Sequence, residues 1–467
     1  MRTKIYAVLI SCIFISIVVK NIVNAQEVDS NRKPNIILLI GDDHGYPYYG
    51  FMGNEDVYTP QLDFLADGGM VFRYGFNTSS TCAPSLMSLL TGLNPIQWEK
   101  YIANKLNKNV EDLTGDEKYL NGIELIRAYN TLPRLLAEQG YVSFQGGKHW
   151  EGTYDTVGFT EGMTKDKGEK AVEKYGALLT MAGADGLALG RETMQPVYDF
   201  IDKHAEEPFF IWFAPMLPHS PFNPPEKYLT LYEGKGLSES AKKYYANCTW
   251  FDDCTGQLIR YLDDKGLRNK TVLIYFSDNG WEQNPLEEFE GNFVTSALGG
   301  RLGKGGLHEM SCRTPIIFNL QGKIEAQVTY DSLISTLDIY ATILDFAGVK
   351  VPENKPGKSL KPLLELDKRD FIIGSIADIR PVEGIENPKA DLFHRNAEAY
   401  YLATRKWQYI WYKSFNKEEL YDKETDPEER FNIINKYPDL ARRFKMEIEK
   451  WKQDMLESVS SPDNLDQ

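Results

Sequence analysis

Asn35-Ile36-Ile37-Leu38-Leu39-Ile40-Gly41-Asp42-Asp43, preceded by Lys33-Pro34, decides the fold. An unbroken apolar run that stops abruptly at two carboxylates is the pattern of a strand covered on both faces in a parallel sheet, since a half-exposed strand would alternate. Outward from it the pattern recurs. Tyr141-Val142-Ser143-Phe144 runs into Gly146-Gly147-Lys148, and Pro208-Phe209-Phe210-Ile211-Trp212-Phe213 leads to Pro218-His219-Ser220-Pro221. Thr271-Val272-Leu273-Ile274-Tyr275-Phe276 ends at Ser277-Asp278-Asn279-Gly280, and Pro315-Ile316-Ile317-Phe318 follows. Helical stretches lie between: one opening at Thr59-Pro60 and stopping at Gly68-Gly69, then Thr131 to Gln139, about Ser238 to Lys265, and Leu333 to Phe346. Strands alternating with helices predict an α/β fold with a large, mainly parallel sheet flanked by helices. Functional groups are then expected at the carboxyl ends of the strands, where Asp42, Lys148, His219 and Asp278 stand.

After about Lys368 the character changes. Tyr400-Tyr401-Leu402-Ala403-Thr404, Trp407-Gln408-Tyr409-Ile410-Trp411-Tyr412 and Glu419-Leu420-Tyr421-Asp422 read as short antiparallel strands, with a closing helix from Asp439 to Met455. The expected organisation is a signal peptide over 1–25, a catalytic α/β domain over 26–367 and a smaller C-terminal subdomain over 368–467. The tail from Ser458 is polar.

The N-terminus reads as a targeting segment. Met1-Arg2-Thr3-Lys4 is basic, Ile5 to Val19 is apolar, and Val23-Asn24-Ala25 ends on a small residue suited to cleavage before Gln26. The expectation is a secreted or periplasmic protein with no membrane span after cleavage; a retained anchor is the alternative. The net charge of −15 argues against a binder of duplex nucleic acid, but leaves room for a local cationic pocket. Of five cysteines, Cys12 leaves with the signal. The remaining four, Cys82, Cys248, Cys254 and Cys312, are too few for a disulfide framework in 467 residues.

Cys82-Ala83-Pro84-Ser85-Leu86-Met87-Ser88-Leu89-Leu90-Thr91-Gly92 reads as a short apolar helix with a proline in its first turn. Cys82 then sits at the helix N-terminus, where free N–H groups and the dipole favour an anion. Asp42-Asp43 and Asp278-Asn279 offer four hard oxygen donors, which suit Ca²⁺ or Mg²⁺. Lys304 lies in Gly299-Gly300-Arg301-Leu302-Gly303-Lys304-Gly305-Gly306, where glycines let the backbone approach an anion. Each feature alone also has an ordinary explanation: a structural cysteine, an Asp-Asn-Gly turn, a solvated loop lysine. Together they fit one task. A divalent cation with Lys148 and Lys304 holds an oxyanion ester, a nucleophile at a helix N-terminus attacks it, and a histidine protonates the leaving oxygen.

From about Pro34 to the C-terminus the chain resembles the type I sulfatase family of the alkaline-phosphatase-like superfamily. The resemblance is carried by Asp42-Asp43, Cys82-Ala83-Pro84-Ser85 with Leu90-Thr91-Gly92, Gly147-Lys148, Pro218-His219-Ser220-Pro221 and Ser277-Asp278-Asn279-Gly280. Gly303-Lys304 with Glu309 and Arg313-Thr314-Pro315, Leu420-Tyr421-Asp422 and Thr425-Asp426-Pro427 continue it in the family's order. It implies that Cys82 is oxidised to formylglycine by a maturation enzyme. The formylglycine hydrate would attack sulfur with one hydroxyl, and its second hydroxyl would later lose a proton and expel sulfate. It also implies that Asp42, Asp43, Asp278 and Asn279 hold one Ca²⁺ with an oxygen of residue 82. Lys148 and Lys304 would bind sulfate, His219 would bind sulfate or protonate the leaving alcohol, and His149 would assist the hydrate.

Two departures stand out. The signature's usual arginine, two residues after the proline, is Leu86, and the family's Lys-x-His is replaced by adjacent Lys148 and His149. The expected substrate is a sulfated small molecule or glycan. A phosphoester hydrolase of the same superfamily and a non-catalytic binder of sulfated glycans are the rival readings.

Overall fold

A computed structural model describes residues 33–282, 302–361, 369–376 and 397–459. The signal peptide, the 367/368 boundary, Gly299-Gly300-Arg301 and residues 460–467 lie outside the described residues. Eight strands make the large sheet: β1 (Asn35–Gly41), β2 (Met70–Phe76), β3 (Val142–Gly147), β4 (Glu161–Gly162), β5 (Phe209–Ala214), β6 (Thr271–Ser277), β7 (Arg313–Asn319) and β8 (Val328–Ser335). Their order is β4-β3-β5-β1-β6-β7-β2-β8. Every neighbouring pair is parallel except the two that involve β7.

β1 is central and wholly buried, which is why it lacks alternation. Its side chains still alternate in direction. Ile36, Leu38 and Ile40 enter a core with Leu86, Leu89, Leu90 and Tyr340, while Ile37 and Leu39 enter a second core with Tyr244, Phe251 and Leu258. The second layer is built chiefly on the long helix Glu239–Asp264, whose N-cap Ser238 accepts from Ala241 N–H.

Register converts these runs into a site. β1 pairs with β6 from Asn35↔Thr271 to Gly41↔Ser277, so Asp42 and Asp278 leave adjacent strands side by side. β3 pairs with β5 up to Gly147↔Ala214, and Lys148 N–H donates to Ala214 O (2.7 Å). Gly147 is required there. Its φ is +91°, and a Cβ would lie 2.0 Å from Ala214 O. Asp42 N–H donates to Leu217 O (2.9 Å), drawing the loop after β5 to the same edge.

A second sheet, ordered β12-β11-β10-β9, is antiparallel: β9 (Ile372–Ile376), β10 (Ala399–Ala403), β11 (Trp407–Tyr412) and β12 (Lys417–Asp422). One face packs Tyr401, Ile410 and Tyr421 on Phe76, Leu307 and Cys312 of the large unit. The other carries the closing helix Pro438–Glu457 through Phe444 and Ile448. Among the described residues no helix is long and apolar enough to cross a membrane.

The structure corrects one boundary. Leu333–Ser335 belong to β8, and the helix runs over Thr336–Ala347. The cause is a capping box: Ser335 Oγ accepts from Leu337 N–H (3.3 Å) and Asp338 Oδ2 accepts from Ser335 N–H (2.8 Å).

Candidate active site

Four strand ends converge on one buried pocket. Asp42, Asp43, Asp278 and Asn279 are each at most 1% exposed. Asp43 N–H donates to Asp278 Oδ1 (3.2 Å), and Asn279 Nδ2 donates to Asp43 Oδ1 (2.6 Å). Asp43 takes a left-handed backbone, φ 65°, a strained conformation that aspartate tolerates better than most residues and that is typical of functional turns. Tyr244 OH holds it there by donating to Asp43 O (2.9 Å). Three oxygens of this set have no hydrogen-bond partner although they are buried: Asp42 Oδ2, Asp278 Oδ2 and Asn279 Oδ1. Buried acceptors without partners are costly, and carboxylate oxygens most of all.

Lys148 Nζ hydrogen-bonds Asp42 Oδ1 and lies 3.7 Å from Asp278 Oδ2. Lys304 Nζ lies 2.9 Å from Asp43 Oδ1 and 3.0 Å from Oδ2, and 3.5 Å from Glu282. His219 Nε2 stands 3.6 Å from Asp43 Oδ2. Asp42, Asp43 and His219 offer ligand atoms within 4.8 Å of one another.

Charge is out of balance. Burial raises the Asp43 carboxyl, yet Lys304, His219, Lys148 and the Asn279 amide overcome it and hold the group well below the usual carboxylate range. Burial and the Asp42 carboxylate instead push Asp278 up to about 8. Three carboxylates face two lysines in this volume, so without a cation the third is relieved only by keeping a proton on Asp278. An all-oxygen donor set with unpartnered atoms and a carboxyl that a cation would deprotonate fits a hard divalent cation.

The Cys82–Thr91 helix enters beside this set. Thr81 is its extended N-cap and Cys82 its first residue, so Pro84 falls at the third helical position. Gly92, φ 68°, ends it against Tyr340, whose ring a Cβ would meet at 2.4 Å. Gly305 N–H donates to Ser80 O (2.9 Å), tying the Lys304 loop to the residues before Cys82. Burial pushes the Cys82 thiol up, and Lys148 and Lys304 only partly offset this. An unmodified Cys82 is therefore a protonated thiol, a poor nucleophile. Leu86, where the resemblance led to an arginine, is fully buried in the apolar core between this helix and the sheet.

His149 is placed elsewhere. With Lys148 turned to Asp42, the His149 ring turns to Phe159, edge to face at 6.1 Å, and its Nδ1 lies 3.3 Å from Glu151 Oε2. Burial and Lys167 hold this ring well below the ordinary histidine value, hence neutral. The expected assistance from His149 thus finds no contact with the pocket among the described residues. Trp150 returns to the Lys148 side, its ring centroid 5.7 Å from Lys148 Nζ.

Sequence reasoning missed the supports. Arg191 donates to Met216 O (2.9 Å), His219 O (2.6 Å), Pro221 O (3.2 Å) and Asn223 Oδ1 (2.8 Å), so one guanidinium fixes the His219 loop. Ser277 Oγ donates to Gly41 O (3.1 Å) and accepts from His44 N–H (3.0 Å), clamping the β1 and β6 ends together. An arginine in a turn and a serine at a strand end announce nothing by pattern.

A mostly parallel sheet with carboxylates, lysines and a helix-borne cysteine at its strand ends has the architecture of the alkaline-phosphatase-like superfamily. The sulfatase family model matches residues 34–349, and that for the C-terminal region of N-sulphoglucosamine sulphohydrolase matches 300–454. The chain belongs to the sulfatase family and is a sulfuric ester hydrolase. Sulfatases generally use formylglycine and a divalent metal. An arylsulfatase of Clostridium perfringens is 24% identical, over 86% of this chain and 90% of its own. Ps i-CgsB, solved in complex with k-i-k-neocarrahexaose, superposes with a TM-score of 0.66 at 22% identity, over 92% of this chain and 94% of that one. A protein solved with its substrate D-glucosamine-2-N,6-O-disulfate gives 0.64 at 18% identity, over 92% and 99%.

Proposed function

We propose that this chain is a secreted sulfatase that uses Ca²⁺ and a formylglycine at position 82 to hydrolyse the sulfate ester of a carbohydrate. The observation that carries the metal is the set of unpartnered buried oxygens on Asp42, Asp278 and Asn279. With Asp43 they would hold one cation, which as a Lewis acid would offset charge on the sulfate oxygens. As formylglycine, residue 82 would supply a geminal diol, one hydroxyl for attack on sulfur and the other to release sulfate.

The chain's own residues do the rest. Lys148 and Lys304 present ammonium groups to sulfate, where donors aimed at developing charge are worth most because water is excluded. His219, 20% exposed at its side chain and set by Arg191, faces the open side and donates a proton to the leaving oxygen. The sugar reading draws on neighbours whose solved complexes contain carbohydrate. The division into a catalytic unit up to 367 and a subdomain from 368 belongs to the same reading, as do cleavage at 25 and a periplasmic or extracellular site.

The test is the mass of the tryptic peptide from Tyr74 to Lys100 in protein from its natural source, together with its activity on matched sulfate and phosphate monoesters. The expected result is the aldehyde at residue 82 and turnover of sulfate esters in preference to phosphate. A thiol at residue 82 in protein that still binds sulfated glycans would favour the binding-module reading. A preference for phosphate would favour the phosphoesterase.

A further inference from the structure

The antiparallel sheet is joined to the large unit by more than its apolar face. Groups on it, and on the turns that follow it, bond the two segments that carry Cys82 and Lys304. Tyr401 OH donates to Asn77 O (2.5 Å) and Ser375 N–H to Thr78 O (3.1 Å), five and four residues before Cys82. Gln408 Nε2 donates to Leu307 O (2.7 Å), three residues after Lys304. Glu309 N–H donates to Glu429 Oε2 (3.0 Å), and Glu309 Oε1 accepts from Lys423 Nζ (2.7 Å) and Arg313 Nη1 (3.3 Å). Gln408, Glu309, Arg313 and Lys423 are all buried.

The segment after Lys304 depends on such ties. Lys304 stands among Gly303, Gly305 and Gly306, and Gly305 has φ 78°. Glycines leave the backbone its widest choice of conformations, so this loop does not fix a lysine by itself. On one side Lys304 N–H donates to Trp281 O (2.9 Å). On the other, the restraints are those on Leu307 and Glu309, which come from β11 and from the chain after β12. Ser80 Oγ donates to Gly306 O (2.5 Å) and Ser80 O accepts from Gly305 N–H (2.9 Å), so the Cys82 segment and the Lys304 loop share one set of bonds. Bonds to main-chain atoms restrain the path of the chain, and an error of about 1 Å at a catalytic group costs as much as about 10²-fold in rate.

Resting on the sulfate-ester reading above, we infer that the antiparallel sheet is a positioning element of the active site, and that Lys423 and Gln408 are positioning residues that act through Lys304. Lys423 grips the Glu309 carboxylate and Gln408 the Leu307 carbonyl. Between them they set the end of the glycine loop, and with it the reach of the Lys304 ammonium to its place 2.9 Å from Asp43 Oδ1.

The experiment is a double-mutant cycle read as kcat for a sulfate monoester in protein bearing formylglycine, with amide hydrogen exchange over residues 303–307 measured alongside. Lys423→Met should lower kcat about tenfold, speed exchange at Gly305 and Gly306 by a similar factor, and leave exchange in β1 unchanged. Lys423→Arg, which keeps a cation beside Glu309, should restore most of the rate. In a Lys304→Ala background, Lys423→Met should have little further effect, because the lysine it positions is gone. Gln408→Leu takes the place of Lys423→Met if that variant does not fold. Losses that multiply in the double variant, or a folded single variant whose kcat or exchange is that of wild type, overturn the proposal. If wild type hydrolyses no sulfate ester, the sulfatase reading fails first, and exchange alone decides. Faster exchange over 303–307 with β1 unchanged then supports positioning, whereas exchange unchanged, or raised equally in β1, overturns it.

Discussion

Asp42, Asp43 and Asp278 in one cluster, and His149 and Glu151 with the half-buried Lys167 in another, are all removed from bulk water to a large extent, yet burial acts on them differently. In the second group, burial pushes Glu151 up to about 7 against the pull of Lys167, and pushes Lys167 down to about 8 against the pull of Glu151. Lys167 Nζ donates to His149 O (2.5 Å) and Met181 O (2.7 Å), and Glu151 Oε2 accepts from Trp150 N–H (3.1 Å). One acid and one base balance there, and a proton exchanged between them removes both charges. In the first group three carboxylates face two lysines, and unpartnered oxygens come from more than one strand end. Open polar atoms occur in both clusters, since Glu151 Oε1 and both His149 ring nitrogens also lack hydrogen-bond partners; what sets the first apart is an excess of carboxylates over lysines drawn from two strand ends.

The comparison can be broken in several ways. Asp278→Ala removes an open oxygen and should lower kcat/KM by at least about 10³-fold, read as sulfate release, with the circular dichroism spectrum unchanged. Lys304→Ala should cost about 10²–10³-fold, chiefly in kcat, because the donor acts on charge that develops during reaction. His219→Ala should cost about 10²-fold on alkyl sulfates and much less on activated aryl sulfates. Equal losses on both would make it a sulfate-binding group instead.

The smallest effect belongs to the second cluster. The folded carboxyl of Glu151 lies above its unfolded value near 4.5, so between about 4.5 and 7 the native state binds the extra proton and stability falls as pH rises. Glu151→Gln should remove that slope. Its melting temperature relative to wild type should therefore be higher at pH 7.5 than at pH 5, and a difference independent of pH would show that Glu151 is not titrating there.

Much of this centre was legible from residues alone. The β1 run stops at Asp42 and the β6 run at Asp278, and the parallel pairing of the two makes them neighbours. A pattern that ends abruptly can be read locally. Four things could not be. The reversal of β7 depends on a connection whose path no local pattern gives. β2 was passed over because Arg73 and Gly75 interrupt its apolar run, although its exposed Arg73 pairs with Asp331 at 2.7 Å. The facing of His149 toward Phe159 and Glu151 is set by the chain after β3, and a motif that lists residue types is blind to it. Arg191 escaped because its partners are backbone carbonyls, which any sequence supplies.

Calorimetric titration of Ca²⁺ into wild type, Asp278→Ala and His149→Phe tests the account most directly. It predicts one site in wild type, no binding in Asp278→Ala, and a site of unchanged affinity in His149→Phe. Binding retained by a folded Asp278→Ala, or lost in a folded His149→Phe, would contradict it.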